Sequence, residues 1–319
     1  MKSKGVPGMA VALCFHNQCS LFNFGYADYT LQQPVSPSTI FEIASLTKVF
    51  TSSALAVEIL NGKMDLNDPV LRYLPEIQNS ENRISCLTIG DLATHTSTLP
   101  YLPPPLSPSD RIYTRNMLMD YLKNWLPACP MKKTYSYSHL GYGILGECLA
   151  YVEEESYMEV IRQLILEPLK MTSTSIHVPE KSLNYYAQGF TQRCTLTPHR
   201  PSNLLDGANA LRSTSGDMLK FLEANLGERT PISLILAMGL AQKSIFKVDI
   251  DFSIGLGWER YKYEGQLIIE QDGGGAGFSS YIGMLPKQKI GIVLLANKGK
   301  INIKSFGRHL LMRLVHCKD

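Results

Sequence analysis

The sequence predicts an α+β protein: an α/β sandwich whose antiparallel sheet is built from both ends of the chain, with an all-helical domain inserted between them. Three observations lead there. Apolar segments of strand character joined by short turns occur near the start and again over the last quarter of the 319 residues. The middle, roughly 60 to 200, carries helical apolar spacings broken by Pro-rich loops such as Leu102-Pro103-Pro104-Pro105. No internal repeat is present that would suggest a solenoid or propeller.

Residues 8–16 and 19–27 read as a hairpin across Asn17-Gln18. A helix follows, because Val49 to Leu60 lacks Pro and Gly, places apolar residues at helical spacing and stops near Asn61-Gly62. Further helical periods fall at 86–94, 115–126, 138–152 and 155–166. Strands are expected at 254–259 and 265–271, then at 278–285 and 290–297 across the tight Pro286-Lys287-Gln288 turn; such short connections imply antiparallel pairing. Residues 303–316 form a closing helix with an apolar stripe of Phe306, Leu310, Leu311, Leu314 and Val315. The expected partition is 1–58 with 203–319 for the sheet-bearing domain and 59–202 for the insertion.

Composition excludes several function classes. A hydrophobic content of 45% and a charged content of 18% are those of an ordinary globular chain. The net charge of +3 comes without the basic block or aromatic–basic interleaving that a nucleic-acid groove needs. No run of 18 apolar residues suggests a membrane span. The seven cysteines are scattered and lack C-x-x-C spacing, so they are expected to be isolated thiols that mostly pack; no zinc site and no disulfide framework is expected. The seven histidines are equally dispersed, which argues against a metal-dependent hydrolase, and no cofactor is expected. Met1-Lys2-Ser3-Lys4 is basic, but the apolar run from Val6 to Phe15 is short, contains Pro7 and Gly8, and does not read as a signal peptide.

The most informative motif is Ser45-Leu46-Thr47-Lys48 at the start of the first long helix. Three residues apart, Ser45 and Lys48 share a helix face. A serine hydroxyl needs an adjacent base to attack a carbonyl, and a partly desolvated lysine can supply it. The helix N-terminus offers unpaired N–H groups to an oxyanion forming there. The spacing alone decides little, because Ser244-Ile245-Phe246-Lys247 repeats it in sequence of surface character. Companions decide. Tyr137-Ser138-His139 precedes Leu140-Gly141-Tyr142-Gly143-Ile144-Leu145-Gly146, and Gln271-Asp272-Gly273-Gly274-Gly275 precedes the strand at Ser279 to Leu285.

With these companions the chain resembles the class C β-lactamases and the related penicillin-binding and esterase-type serine hydrolases. The likeness runs nearly end to end: Val6-Pro7-Gly8-Met9-Ala10-Val11-Ala12, Phe24-Gly25-Tyr26-Ala27-Asp28, Phe41 to Lys48, Leu87 to Ser97, Glu167-Pro168-Leu169-Lys170-Met171-Thr172-Ser173-Thr174, Leu211-Arg212-Ser213-Thr214 and Ile290 to Lys298. Each block is weak alone, but seven in the family's order are specific. The resemblance implies the serine β-lactamase/DD-peptidase-like fold, with the active site in the cleft between the two domains. That family usually carries a signal sequence and an N-terminal helix before the first strand, so a trimmed or shortened start is expected here. It also implies a monomer with a periplasmic or secreted location.

The resemblance implies roles residue by residue. Ser45 is the nucleophile, and Lys48 and Tyr137 handle its proton. Tyr137, not Tyr135, aligns with the family tyrosine because Gly141-Tyr142 and Leu145-Gly146 follow at the family's spacing. The Ser45 and Gly274 N–H groups form the oxyanion hole, and Gly273 lies on the strand edge that binds the acyl group. His139 stands where the family most often has asparagine and is expected to offer one ring nitrogen to the substrate. Gln271 replaces the usual lysine or histidine and brings Asp272 beside it, weakening recognition of a substrate carboxylate. Asn302 matches a carboxylate-binding asparagine, whereas Ser305 replaces the arginine three residues on, with Lys304 adjacent. The expected function is acyl-enzyme hydrolysis of a small-molecule β-lactam. The alternatives are a D-alanyl peptidase or carboxylesterase on the same scaffold, and a non-catalytic binder of cell-wall peptides.

Overall fold

The computed structural model describes residues 5–16, 18–77, 83–104, 114–125, 133–199 and 205–317. In it, β1 (Gly8–Phe15) and β2 (Gln18–Asp28) form the expected hairpin, and β3 (Gln33–Pro34) borders β2. The hairpin register sets Cys14 opposite Cys19. Their sulfurs are joined in a disulfide, with Cα atoms 4.1 Å apart. This corrects the expectation of isolated thiols: linear spacing hides the pair, which the strand register creates. Cys86, Cys148, Cys194 and Cys317 are free.

Next come β4 (Ile40–Glu42) and α1 (Thr47–Leu60), then α2 (Ile89–Ala93), α3 (Arg115–Asn124), α4 (His139–Glu153) and α5 (Tyr157–Ile161). The helical periods read from sequence fall on these helices within a few residues. The end of the 115–126 period lies outside the described residues, as does Pro105 of the Pro-rich loop. The 155–166 period bends at its end, where Arg162–Leu166 continues α5 as a π-helical turn. Side chains set the helix starts: Thr88 and Asp91 form a reciprocal capping box on α2, and Ser138 Oγ accepts the Gly141 N–H at 2.9 Å on α4.

The short strands β5 (Gly189–Phe190) and β6 (Leu196–Thr197) pair with each other. After α6 (Asp206–Asn209), β7 (Arg212–Thr214) pairs with β4 ahead of α7 (Ser215–Asn225) and α8 (Ile232–Ala241). The chain then returns to the sheet through β8 (Phe246–Lys247), β9 (Phe252–Ile254), β10 (Glu259–Tyr263), β11 (Gln266–Gly274), β12 (Ser279–Leu285) and β13 (Ile290–Ala296), and closes with α9 (Ile303–His316). The nine-stranded order is β3-β2-β1-β13-β12-β11-β10-β9-β8, so β1 from one end of the chain pairs antiparallel with β13 from the other.

Alternation along the central strands gives the sheet two apolar faces. Ala10, Ala12, Ile282, Met284, Val293 and Leu295 pack into the main core with the buried faces of α1, α7 and α8. Met9, Val11, Tyr281, Ile292 and Leu294 pack against Ile303, Leu311 and Met312 of α9. The expected strand 254–259 is interrupted, since residues 255–258 leave the ladder between β9 and β10. Gly257, at φ 68, presses against α1: a Cβ there would lie 2.5 Å from Ser52 Oγ and 3.2 Å from the Lys48 carbonyl oxygen. Its N–H donates to the Ala93 carbonyl at 3.1 Å, so this crossing ties the sheet to the turn after α2 directly behind Lys48.

Candidate active site

Ser45 lies in a 3-10 turn, Ala44–Leu46, that leads straight into α1. The turn is held in an unusual shape. Ala44 has φ 47, a left-handed conformation that a Cβ makes costly. Thr47 Oγ1 holds it by donating to the Ala44 carbonyl at 2.7 Å and accepting the Leu211 N–H at 3.1 Å. The sheet holds its other side, because Ser280 Oγ donates to the Ile43 carbonyl at 2.7 Å. Local sequence and tertiary contacts thus fix the serine at the positive end of a fourteen-residue helix.

Lys48 is fully buried one turn along. Its Nζ donates to Ser45 Oγ at 3.2 Å and to the Ala208 carbonyl on α6 at 2.8 Å, and lies 2.7 Å from His139 Nδ1. The Tyr137 ring centroid is 4.9 Å from the ammonium, within cation–π range. Burial pushes the Tyr137 phenol well above its ordinary pKa and outweighs the opposing influence of Ser45, so the phenol is protonated at neutral pH. The structure therefore brings Ser45, Lys48, Tyr137 and His139 together from α1 and the start of α4. His139 Nδ1 faces Lys48, a contact that the sequence did not indicate. Tyr101, half exposed, stacks near Tyr137 with centroids 6.3 Å apart, and its carbonyl accepts the His139 N–H at 3.1 Å.

The end of β11 forms the opposite wall. A Cβ on Gly273 would lie 2.5 Å from the Ile43 carbonyl oxygen and 3.0 Å from the Ser45 nitrogen, so only glycine lets the strand run this close to the Ser45 turn. A Cβ on the exposed Gly274 would meet nothing within 4 Å. Gln271 is buried and turned inward: its Nε2 donates to the Gly257 carbonyl at 3.2 Å and its Oε1 accepts the Asp272 N–H at 3.0 Å. Asp272 pairs with Lys304 at 3.1 Å. Lys304 also meets Glu259 and lies 3.9 Å from Glu270, which Arg308 clamps. Burial alone would lower the Lys304 pKa, but these carboxylates outweigh it and the ammonium is favoured. The Asn302 side chain caps α9, its Oδ1 accepting the Ser305 N–H at 3.1 Å, and so is engaged locally.

Sequence reasoning missed two contributors. The Ala208 carbonyl is backbone and carries no residue signal. His95 is a single histidine in the turn after α2, and its ring lies 4.4 Å from that of Tyr137. As for metal binding, Cys14, Cys19 and Glu223 cluster at the β1–β2 hairpin, but the disulfide occupies both sulfurs.

A buried lysine bonded to a serine at a helix start, with a buried phenol beside the lysine, defines a serine hydrolase built for acyl transfer. The profile of the Beta-lactamase family matches residues 1–315, and the chain belongs to that family. A β-lactamase from Providencia stuartii is 29% identical over 330 residues, spanning 93% of this chain and 84% of that protein. One from Escherichia coli K12 is 27% identical, spanning 95% and 87%. Among solved structures, the class C β-lactamase of Rhodobacter sphaeroides superposes with a TM-score of 0.88 at 27% identity, covering 99% of this chain and 97% of that one.

Proposed function

We propose that the protein hydrolyses β-lactams through an acyl-enzyme on Ser45. The observation that carries the reading is the buried Lys48 Nζ 3.2 Å from Ser45 Oγ, with the Tyr137 ring centroid 4.9 Å from the same nitrogen. Ser45 Oγ attacks the lactam carbonyl and gives its proton to Lys48 acting from its neutral amine form, while the protonated Tyr137 is the donor toward the leaving group and is reprotonated by Lys48. The Oγ–C bond forms, the C–N bond breaks, and the departing nitrogen takes the Tyr137 proton. The Ser45 and Gly274 N–H groups hold the oxyanion, a donor pair whose loss typically costs about 10²–10³ in turnover per donor. Water then attacks the ester, and Ser45 regains its proton. His139 Nδ1, 2.7 Å from Lys48 Nζ, gives the ammonium an acceptor as protons move. The cleft lies between the sheet-bearing body and the inserted helices as two domains, and the chain acts as a monomer in a periplasmic or secreted setting. Among the described residues no helix is long and apolar enough to cross a membrane.

A second reading, D-alanyl peptidase or carboxylesterase, is favoured by one observation. Lys304, the cation beside the β11 wall, is already paired with Asp272 and Glu259, so a substrate carboxylate gains little from it. Hydrolysis of nitrocefin is to be compared with that of p-nitrophenyl esters, with Ser45→Ala as control. The β-lactam reading expects nitrocefin turnover that disappears in Ser45→Ala. Ester turnover alone supports the second reading, and no turnover of either contradicts both.

A further inference from the structure

One residue outside the proposed proton-handling set holds Tyr137 from several directions. His95 follows α2 at φ 59, a left-handed conformation that is uncommon outside glycine and enriched in histidine. The turn is fixed from three elements. The Thr96 N–H donates to the Asp91 carbonyl at 2.9 Å, Thr96 Oγ1 donates to Asp91 Oδ1 at 3.1 Å, and Ala93 O accepts both the Tyr142 hydroxyl at 2.8 Å and the Gly257 N–H at 3.1 Å. From this turn the His95 carbonyl accepts the Ser136 N–H at 2.7 Å, and His95 Nδ1 accepts the Ser138 N–H at 3.1 Å. The residues on either side of Tyr137 therefore both hang on His95. The imidazole also backs the phenol, with ring centroids 4.4 Å apart and planes inclined by 32°.

The protonation state suits that role. With Nδ1 accepting, the neutral ring carries its proton on Nε2. Burial, with the nearby Lys48 charge, holds the imidazole pKa well below its ordinary value, so the accepting lone pair persists at neutral pH. The side chain is 2% exposed, and Nε2 has no hydrogen-bond partner among the described residues. A strained turn and a buried, unpartnered N–H both oppose stability, so packing alone is a poor reason for histidine here.

We propose that His95 is the positioning residue of the acyl-transfer site, fixing the Tyr137 hydroxyl against Ser45 by anchoring the backbone on both sides of Tyr137 and backing its ring. The inference rests on the reading of Tyr137 as a proton carrier. Its test is a double-mutant cycle on acylation of Ser45, followed with nitrocefin and p-nitrophenyl acetate. His95→Phe keeps a ring but removes the acceptor for the Ser138 N–H. His95→Asn keeps an acceptor and tolerates a left-handed turn, but it removes the ring. His95→Phe should lower kcat by about 10–100-fold with KM little changed, the scale expected of sub-ångström misplacement, and His95→Asn should lose less. In a Tyr137→Phe background neither should cost anything further. Additive losses, or full activity in a folded His95 variant, overturn the proposal. If His95→Phe melts below assay temperature, the His95→Asn cycle decides. If neither variant folds, His95 is structural and the proposal falls. Wild-type activity in Tyr137→Phe would instead remove the reading of Tyr137 itself.

Discussion

Gly273→Ala is a single-methyl perturbation of the wall beside Ser45, the proposed nucleophile. The new Cβ would lie 2.5 Å from the Ile43 carbonyl oxygen, 2.4 Å from Ser280 Oγ and 3.0 Å from the Ser45 nitrogen. Close carbon–oxygen contacts run at about 3.3 Å, so the Ile43 carbonyl must retreat by about 0.8 Å. Ser280 Oγ can rotate away, but only by giving up its 2.7 Å bond to that same carbonyl. The displacement therefore falls on the strained Ala44 turn that aims Ser45. Overpacking of this kind costs about 1–3 kcal/mol of stability, and misplacing a reacting group by about 1 Å costs about 10² in rate. Gly239→Ala on α8 is the control, because its Cβ meets nothing within 4 Å. Stopped-flow acylation with thermal melts should show Gly273→Ala folded, slower by about 10²-fold and less stable, and Gly239→Ala within a few-fold of wild type. Equal rates in wild type and Gly273→Ala would refute the claim that β11 positions the nucleophile turn.

Three other outcomes follow from the same geometry. His139→Leu leaves Lys48 one acceptor short and should lower acylation about tenfold to a hundredfold, the worth of a hydrogen bond to a charged group, whereas His139→Asn should recover most of that loss in the same single-turnover assay. Gln271→Lys, made with and without Asp272→Thr, should raise kcat/KM for a carboxylate-bearing β-lactam about tenfold and leave a neutral ester unchanged; an unaltered β-lactam-to-ester preference in both forms would assign specificity to His139 or to the loop at Tyr101 and Leu102. Burial, with a hydrogen bond to Glu153, raises the Glu58 pKa. A carboxyl whose pKa is higher folded than unfolded contributes stability that is complete below its unfolded value of about 4.3 and is lost as pH rises through the folded value. The Tm advantage of Glu58→Gln over wild type should therefore widen from pH 4 to pH 7, and a constant difference would contradict the assignment.

The parts of the fold that were legible in the sequence are those where burial imposes a pattern. The near-continuous apolar runs of β1, β12 and β13 mark strands covered on both faces, the apolar stripe of α9 marks one-sided burial, and their boundaries fall within a few residues of those expected. Residues 254–259 misled because Gly255-Leu256-Gly257-Trp258 is as apolar as a strand, although its burial comes from crossing α1 rather than from pairing. The Cys14–Cys19 disulfide escaped because spacing was weighed without the hairpin register that sets the two side by side. At the site, Ser45, Lys48 and Tyr137 were readable because each belongs to a local motif. His95 was not: its partners Ser136 and Ser138 are some forty residues away, and the link runs through backbone N–H groups that every residue shares. Gln271 was identified by position, but its inward engagement with the Gly257 carbonyl depends on a crossing that the sequence hid.

The central claim is that Ser45 becomes acylated. A slowly hydrolysed β-lactam or a fluorophosphonate should add one adduct to the intact protein, and peptide mapping should place it on Ser45. Ser45→Ala, shown by circular dichroism to be folded, should take up none. An adduct on Ser244 or any other residue, or no adduct from either probe on the folded wild-type protein, would contradict the account.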